Sequence, residues 1–226
     1  RRSFIQGFQY FYGEIQKYCV LGLLPGYLER EGSSLIFMVK EFIGKSNFKS
    51  SGFYLHNYEQ LAKQLNENEA QGIPTLLLGV TFGLLDFAER YSFNLKNTIV
   101  METGGMKGRR EEMLREEVHR VLCSRLGVDT IHSEYGMTEL LSQAYSLGNG
   151  IYKSPPWMKV LSYDLYNSLH CTRVGKGGVN VIDLANLNSC AFIQTQDIGK
   201  VYSDESFEIL GRFDASEIRG CNLLVV

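Results

Sequence analysis

The sequence predicts an α/β protein: a mixed, largely parallel sheet flanked by helices, followed by a smaller antiparallel β-sheet or distorted barrel. Three observations lead there. Up to about residue 150, helical periodicity alternates with short, continuously apolar runs, the pattern of buried parallel strands covered by helices. Past Gly148 that alternation stops, and apolar runs follow one another across Gly, Asn, Asp and Ser turns. Between the two regimes stands "SPPWM", where adjacent prolines forbid a regular ladder. The expected division is an α/β part over 1–150, a β-rich part over 151–214 and a terminal piece over 215–226.

The elements follow in order. "RRSFIQGFQYFYGEIQKY" sets two arginines before apolar residues, as a targeting signal would, but Gln6, Gln9, Glu14 and Gln16 interrupt it. It reads as an amphipathic helix entered partway, and an apolar "CNLLVV" closes the chain, so both ends look cut from a longer protein. "LIFMVKEFIG" is helical, and "YEQLAKQLNENEAQG" is a helix closed by Gly72. "IPTLLLGV" is a buried strand, "LLDFAERY" a short helix and "NTIVMET" a second buried strand. "REEMLREEVHRVLCSRLG" has Leu114, Val118, Val121 and Leu122 on one face, with Glu111–Arg115 and Glu116–Arg120 as i,i+4 pairs on the other, and ends at Gly127. "VDTIHSEYG" is a third strand, with a helix expected from about Met137. "MKVLSYDLY", "GGVNVIDLA", "SCAFIQTQDIG" and "SFEILGRFD" are the strands of the second part.

Composition excludes several classes. A net charge of −2 with scattered Lys and Arg speaks against a general nucleic-acid binder and against a polybasic membrane patch. No apolar run approaches the roughly 20 residues of a membrane span. Five cysteines with no CxxC pair predict neither a disulfide scaffold nor structural zinc, and place the chain in a reducing cytoplasm. "FIGKSN" carries the end of a phosphate loop, but Val39 stands where its first glycine belongs. Gly175 and Gly177 begin a GxGxxG that Asn180 breaks, in what reads as a β-turn. His132-Ser133-Glu134 lacks the PCxxC of a zinc deaminase. Ser46 and Lys49 form an isolated SxxK in a solvated loop, and GxSxG does not occur.

Two constellations carry chemistry. "ETGG", from Glu102 to Gly105, puts adjacent glycines at the carboxyl end of a strand, where a ligand can approach the backbone; a plain tight turn accounts for it equally. "HSEYGMTELLSQAY" sets a ring (Tyr135), a glycine (Gly136), a hydroxyl (Thr138) and a carboxylate (Glu139) side by side. Glu139 can hold Mg²⁺, which prefers oxygen ligands, and a helix starting at Met137 would favour a phosphate. Capping and charging of a helix start is the competing account of Thr138 and Glu139.

"YGMTE" resembles the Y-G-x-T-E core of the adenylate-forming enzymes, the acyl-CoA synthetase and luciferase superfamily. "IQTQDIG" is similar to that superfamily's Y-R-T-G-D-x-G, with Asp197 in the aspartate place. "ILGRFDASEIRG" is similar to its G-R-x-D-D-x-I-K-x-x-G, with Arg212 and Asp214 matched. "LPGYLEREGSSLIFMV", "ETGGMKGR" and "SEYGMTELLSQAY" together resemble the LuxE-like acyl-protein synthetases, so the chain would be part of the large domain of such an enzyme. Gln196 stands for the usual glycine and Ala215 for the second acidic residue of the hinge motif. None of the five cysteines matches an acyl-accepting position. The family's phosphate loop would precede Arg1, residues 215–226 would be the hinge and the start of its lid, and the lid with the catalytic lysine would follow Val226.

The resemblance implies ATP and Mg²⁺ as cofactors, a carboxylic acid (fatty or otherwise apolar) as substrate, and a thiol acceptor. Tyr135 would pack on adenine, with Ser133, Glu134, Gly136 and Met137 around it. Thr138 would contact the α-phosphate and Glu139 would orient the metal. Asp197 would accept from the ribose hydroxyls, Arg212 would reach the same nucleoside, and Asp214 would be the hinge. Gly104 and Gly105 would border the acyl and adenine pockets, with Thr81 and Phe82 at the acyl-pocket mouth or simply in the core. The acceptor is a protein cysteine, with an acyl reductase as partner, or coenzyme A, as in phenylacetate-type ligases. A non-catalytic remnant that binds nucleotide or a partner is the third alternative.

Overall fold

The computed structural model describes residues 1–25, 33–55, 57–104 and 113–212. Contacts divide the chain into two compact units, Arg1–Gly150 and Ile151–Val226.

The first unit is a sheet covered by helices. Its strands are β1 (Cys19–Leu23), β2 (Gly52–Phe53), β3 (Thr75–Val80), β4 (Thr98–Thr103), β5 (His132–Tyr135) and β6 (Ala144–Ser146). They lie in the order β2-β1-β3-β4-β5-β6; neighbours are parallel except β6, which runs antiparallel to β5. Every residue of β1 and β3 is buried, as a sheet covered on both faces requires. The sequence pattern did not mark β1. It is only five residues long, and Gly22 interrupts its apolar run. A Cβ on Gly22 would come within 3.0 Å of the Phe53 ring and 3.1 Å of Val39, so the strand is shaped by neighbours distant in sequence.

The helices are α1 (Arg2–Tyr12), α2 (Ser34–Lys45), α3 (Tyr58–Ala70), α4 (Thr81–Arg90) and α5 (Arg115–Leu126). Local chemistry starts two of them: Ser33 Oγ accepts from the Ile36 N–H, and Asn57 Oδ1 from the Gln60 N–H. Phe8 of α1 sits fully buried among Tyr12, Tyr18, Phe42 and Tyr145, with ring centroids 4.8–6.2 Å away. Arg125 of α5 donates to the terminal carbonyls of α4 at Ala88 (2.7 Å) and Glu89 (3.2 Å), where the helix dipole is negative.

The described part of α5 departs from the expected helix in two ways. It begins at Arg115, and Leu114, expected on the apolar face, is an exposed extended residue before it. Arg120 pairs with Glu117 (3.9 Å) rather than Glu116, and Arg115 Nε lies 3.6 Å from Glu102 on β4; its expected partner Glu111 lies outside the described residues. The helix is oriented by Val118, Leu122 and Leu126 packing inward and by a charge on β4, neither of which local spacing reveals.

The second unit is antiparallel throughout its described residues. Its strands are β7 (Tyr152–Lys153), β8 (Met158–Asp164), β9 (Asn167–Thr172), β10 (Gly175–Asp183), β11 (Phe192–Val201) and β12 (Phe207–Arg212), in the order β7-β12-β11-β10-β8-β9. Gly175, expected in a β-turn, instead opens β10. Gly177 and Gly178 lie inside that strand because β8 covers them: a Cβ on Gly178 would fall within 2.1 Å of the Tyr163 ring.

Gly127 ends α5 in the left-handed conformation (φ 66°), and a Cβ there would meet Phe93 O at 2.5 Å and Asn94 Cα at 2.6 Å. Gly127→Ala combines backbone strain with a backbone clash. We expect it to lower unfolding stability by at least about 2 kcal/mol, read by denaturant titration.

Candidate functional site

In the first unit, the carboxyl ends of β3, β4 and β5 lie in register, with Gly79 beside Glu102, Glu102 beside Ser133, and Thr103 beside Glu134. Ligands of open parallel sheets bind at such ends. Pleating puts Glu102 and Ser133 on one face and Thr103 and Glu134 on the other.

On the first face Glu102 is buried, with its carboxylate fully committed. Thr81 Oγ1 donates to Oε2 (2.6 Å) and Ser133 Oγ to Oε1 (2.9 Å), while Arg115 Nε lies 3.6 Å and His119 Nε2 3.5 Å from Oε1. Burial pushes its pKa up, but the His119 contact, the Arg115 charge and the Thr81 hydroxyl outweigh burial and hold it below the usual carboxylate value. The Thr81 hydroxyl is also 3.0 Å from the Gly104 carbonyl. Gly104 has φ 73°, so the turn after β4 requires glycine for its backbone. Phe82 is buried in the core beside this cluster, and Gly105 lies outside the described residues.

On the other face, Glu134 is buried against Thr103, whose hydroxyl donates to Oε2 at 2.5 Å. Burial pushes its pKa up to about 7; the Thr103 hydrogen bond opposes this and the Glu102 charge adds to it. Two further polar atoms, Gln143 Oε1 and Tyr145 Oη, are buried without a hydrogen-bond partner, and Tyr145 is the strand partner of Glu134. Gly136 has a local reason to be glycine, since a Cβ there would approach Glu134 Oε1 to 2.4 Å.

Past Tyr135 the chain does not enter a helix. Leu140 N–H donates to Met137 O in a turn, and residues 144–146 return as β6 beside β5. The expected helix from Met137, and the phosphate-favouring dipole it would have brought, are therefore not part of the site. "LLSQAY" satisfies helical spacing, but Tyr145 fills a slot against Phe8, Phe11 and Tyr12, which the chain reaches extended. The turn leaves Gly136, Thr138 and Glu139 exposed, Met137 half-buried and the Tyr135 ring largely buried. Thr138 Oγ1 is 3.4 Å from Ser34 Oγ at the start of α2.

In the second unit, Asp197 on β11 and Arg212 on β12 are register partners, with Nε 3.7 Å from Oδ1. The Asp197 carboxylate is largely covered, at 14% exposure, and Arg212 is exposed at 72%. The Asp197 N–H donates to Thr195 Oγ1, which donates in turn to Val179 O, so the aspartate sits on a buried polar anchor. Asp214 and Ala215 lie outside the described residues.

The sequence marked Glu102 only as the start of ETGG and Arg115 only as an i,i+4 partner; their meeting, together with His119, was not read from it. The available signal was Arg115 and His119 at i,i+4 on the face of α5 that carries Val118 and Leu122, with a glutamate near the end of the preceding apolar strand. No group of three metal-ligating side chains occurs among the described residues. A single exposed carboxylate such as Glu139 nonetheless suits Mg²⁺ bound chiefly through nucleotide phosphates and water. No helix among the described residues is long and apolar enough to cross a membrane.

No protein-family model and no curated protein matches the sequence. Solved structures do match its fold. ATP-bound MatB from Rhodopseudomonas palustris superposes with a TM-score of 0.66 at 15% identity, over 91% of this chain and 42% of that one. The amide bond synthetase McbA from Marinactinospora thermotolerans gives 0.58 at 15% identity, over 92% and 43%. The luciferase-like enzyme of the mealworm Zophobas morio gives 0.56 at 14%, over 89% and 51%. The chain thus has the fold of about half or less of each of these proteins, a mixed α/β arrangement with a large, mostly parallel sheet.

The elevated pKa of Glu134 fixes a sign. The folded state keeps its proton up to about pH 7, whereas the unfolded chain releases it near 4.5. Stability from this group is therefore full below 4.5 and is lost as pH rises toward 7, at about 1.4 kcal/mol per pH unit and up to about 3 kcal/mol in all. Relative to Glu134→Gln, which mimics the protonated acid, the parent should lose stability across that window, as measured by denaturant midpoints. A difference independent of pH would mean that Glu134 is ionised throughout.

Proposed function

We propose that the protein containing this chain activates a carboxylic acid with ATP and passes the acyl group to a thiol. The carboxylate attacks the α-phosphorus, the bond to the bridging oxygen breaks, and acyl-adenylate and pyrophosphate form. A thiolate then attacks the acyl carbon and AMP leaves. The observation that carries this reading is the fold shared with ATP-bound MatB, with Y-G-M-T-E standing where a parallel strand gives way to exposed backbone.

The roles follow from the family resemblance and from side-chain chemistry, since Tyr135, Thr81 and Phe82 are largely buried. Tyr135 offers a ring face for adenine. Gly136 and Met137 expose backbone beside it, while Ser133 and Glu134, with side chains committed to Glu102 and Thr103 and with strands on both sides, line the adenine edge by holding Tyr135 and Gly136 in place. Thr138 supplies a hydroxyl for the α-phosphate. Asp197 accepts from ribose hydroxyls, and Arg212 holds its carboxylate in place and adds a charge toward the nucleoside. Gly104 and Gly105 border the acyl and adenine pockets, Thr81 and Phe82 line the acyl side, and Asp214 is the hinge. Mg²⁺, oriented by Glu139, would neutralise phosphate charge. Catalysis rests on positioning and electrostatics.

The LuxE-like resemblance favours an apolar, fatty-type acid, a protein cysteine as acceptor, a partner acyl reductase and a cytoplasmic setting. With coenzyme A as acceptor the protein would instead be an acyl-CoA ligase. The test is acid-dependent ATP–pyrophosphate exchange by the full-length protein with a panel of fatty and aromatic acids, followed by locating the acyl label on protein or on coenzyme A. Absence of exchange with every acid would leave a nucleotide- or partner-binding remnant as the better reading.

Two substitutions probe the roles. Asp197→Ala should raise the Kd for ATP at least tenfold by calorimetry, since charge-assisted hydrogen bonds contribute about 1.5–3 kcal/mol each; an unchanged Kd in a folded variant sinks the assignment. Glu139→Gln should cut exchange activity about a hundredfold. Its melting temperature should stay within a few degrees, because surface substitutions usually cost less than about 0.5 kcal/mol. Retained activity at ordinary Mg²⁺ would reduce Glu139 to a surface charge.

A further inference from the structure

Glu102 takes no chemical role in the proposed reaction, yet three segments around the site hang on it. Its Oε2 receives the hydroxyl of Thr81, the first residue of α4, and its Oε1 receives that of Ser133, two residues before Tyr135. Thr81 in turn lies against the carbonyl of Gly104 in the turn after β4. One carboxylate thereby links the end of β3, the end of β4 and the strand leading into Y-G-M-T-E. Arg115 of α5 supplies a cation beside this acceptor, and His119 a ring nitrogen at 3.5 Å.

A core does not need such an arrangement for stability. Buried ion pairs are often no better than apolar residues of equal volume, because desolvation offsets the attraction. What a charged acceptor adds is direction: it draws two hydroxyls to fixed points and sets the backbone that bears them. We infer that Glu102 is a positioning residue, which fixes Thr81, Gly104 and Ser133 in the acid- and nucleotide-binding site without touching substrate. The inference rests on the ligase reading for its functional half. The placement of the three segments can be measured without it.

The experiment uses full-length protein with Glu102→Gln and Glu102→Asp. At a temperature where the variant remains folded, amide hydrogen exchange should rise at least about tenfold in peptides covering 81–84, 103–104 and 133–138, and stay unchanged in α3 and β10. With ATP and the preferred acid, KM for both should rise and kcat/KM should fall about a hundredfold, the scale expected for a misplacement of about 1 Å. A purely structural residue would lower the folded fraction, reducing kcat while leaving KM where it was. That result, or parental exchange in the three segments, overturns the proposal. If Glu102→Gln does not fold, His119→Leu removes one donor and keeps the carboxylate, and the same readouts apply in graded form. If the parent shows no acid-dependent pyrophosphate exchange, the ligase reading falls and local amide exchange alone decides whether Glu102 positions these segments.

Discussion

A carboxylate buried at the end of a parallel sheet has to be met by donors on every side, and Glu102 sets that requirement for the first unit. Its desolvation as an anion would cost several kcal/mol if left unanswered. The answer comes from four residues on three other elements: Thr81, Ser133, Arg115 and His119. Each is drawn to one point, so α4, α5 and β5 acquire their placement against β4 from a single charge as well as from apolar packing. The same charge explains why Arg115 turns inward and why α5 presents a polar stripe to the sheet.

Glu134, one pleat away on the opposite face, shows the other solution to the same problem. Among the described residues it has one hydroxyl partner and no cation, so burial and the neighbouring Glu102 charge favour its protonated form. Two adjacent carboxylates thus hold opposite protonation preferences because their partners differ, not because their burial does. The arrangement also gives Gly136 a physical reason that needs no ligand: the glycine clears space for the Glu134 carboxylate. The exposed backbone that results is a consequence of that packing.

In the second unit the constraint is steric rather than ionic. Tyr163 lies over Gly178, and β10 can carry no side chain there. The ladder that follows brings Asp197 opposite Arg212, with Thr195 tying the aspartate to β10. A carboxylate at 14% exposure, paired with an exposed guanidinium and carried on the Thr195 anchor, is held in a fixed direction.

The α/β alternation, the change to antiparallel strands past Gly148 and the position of β3, β4 and β5 were legible in the sequence, because continuous apolar runs and glycine stops act locally. Tyr135, Gly136, Thr138 and Glu139 were singled out from one short stretch, and Asp197 and Arg212 through the family resemblance alone. The tertiary structure alone decided the rest. It made Cys19–Leu23 a central strand, since Gly22 has meaning only against Val39 and Phe53. It turned "LLSQAY" from a helical pattern into a return strand, since Tyr145 is claimed by the aromatic cluster of α1. It assembled Glu102 with Thr81, His119, Arg115 and Ser133 from residues up to 52 apart. Periodicity records which face of an element is apolar, but a buried charge chooses its partners by distance in space, and that distance exists only once the sheet has formed.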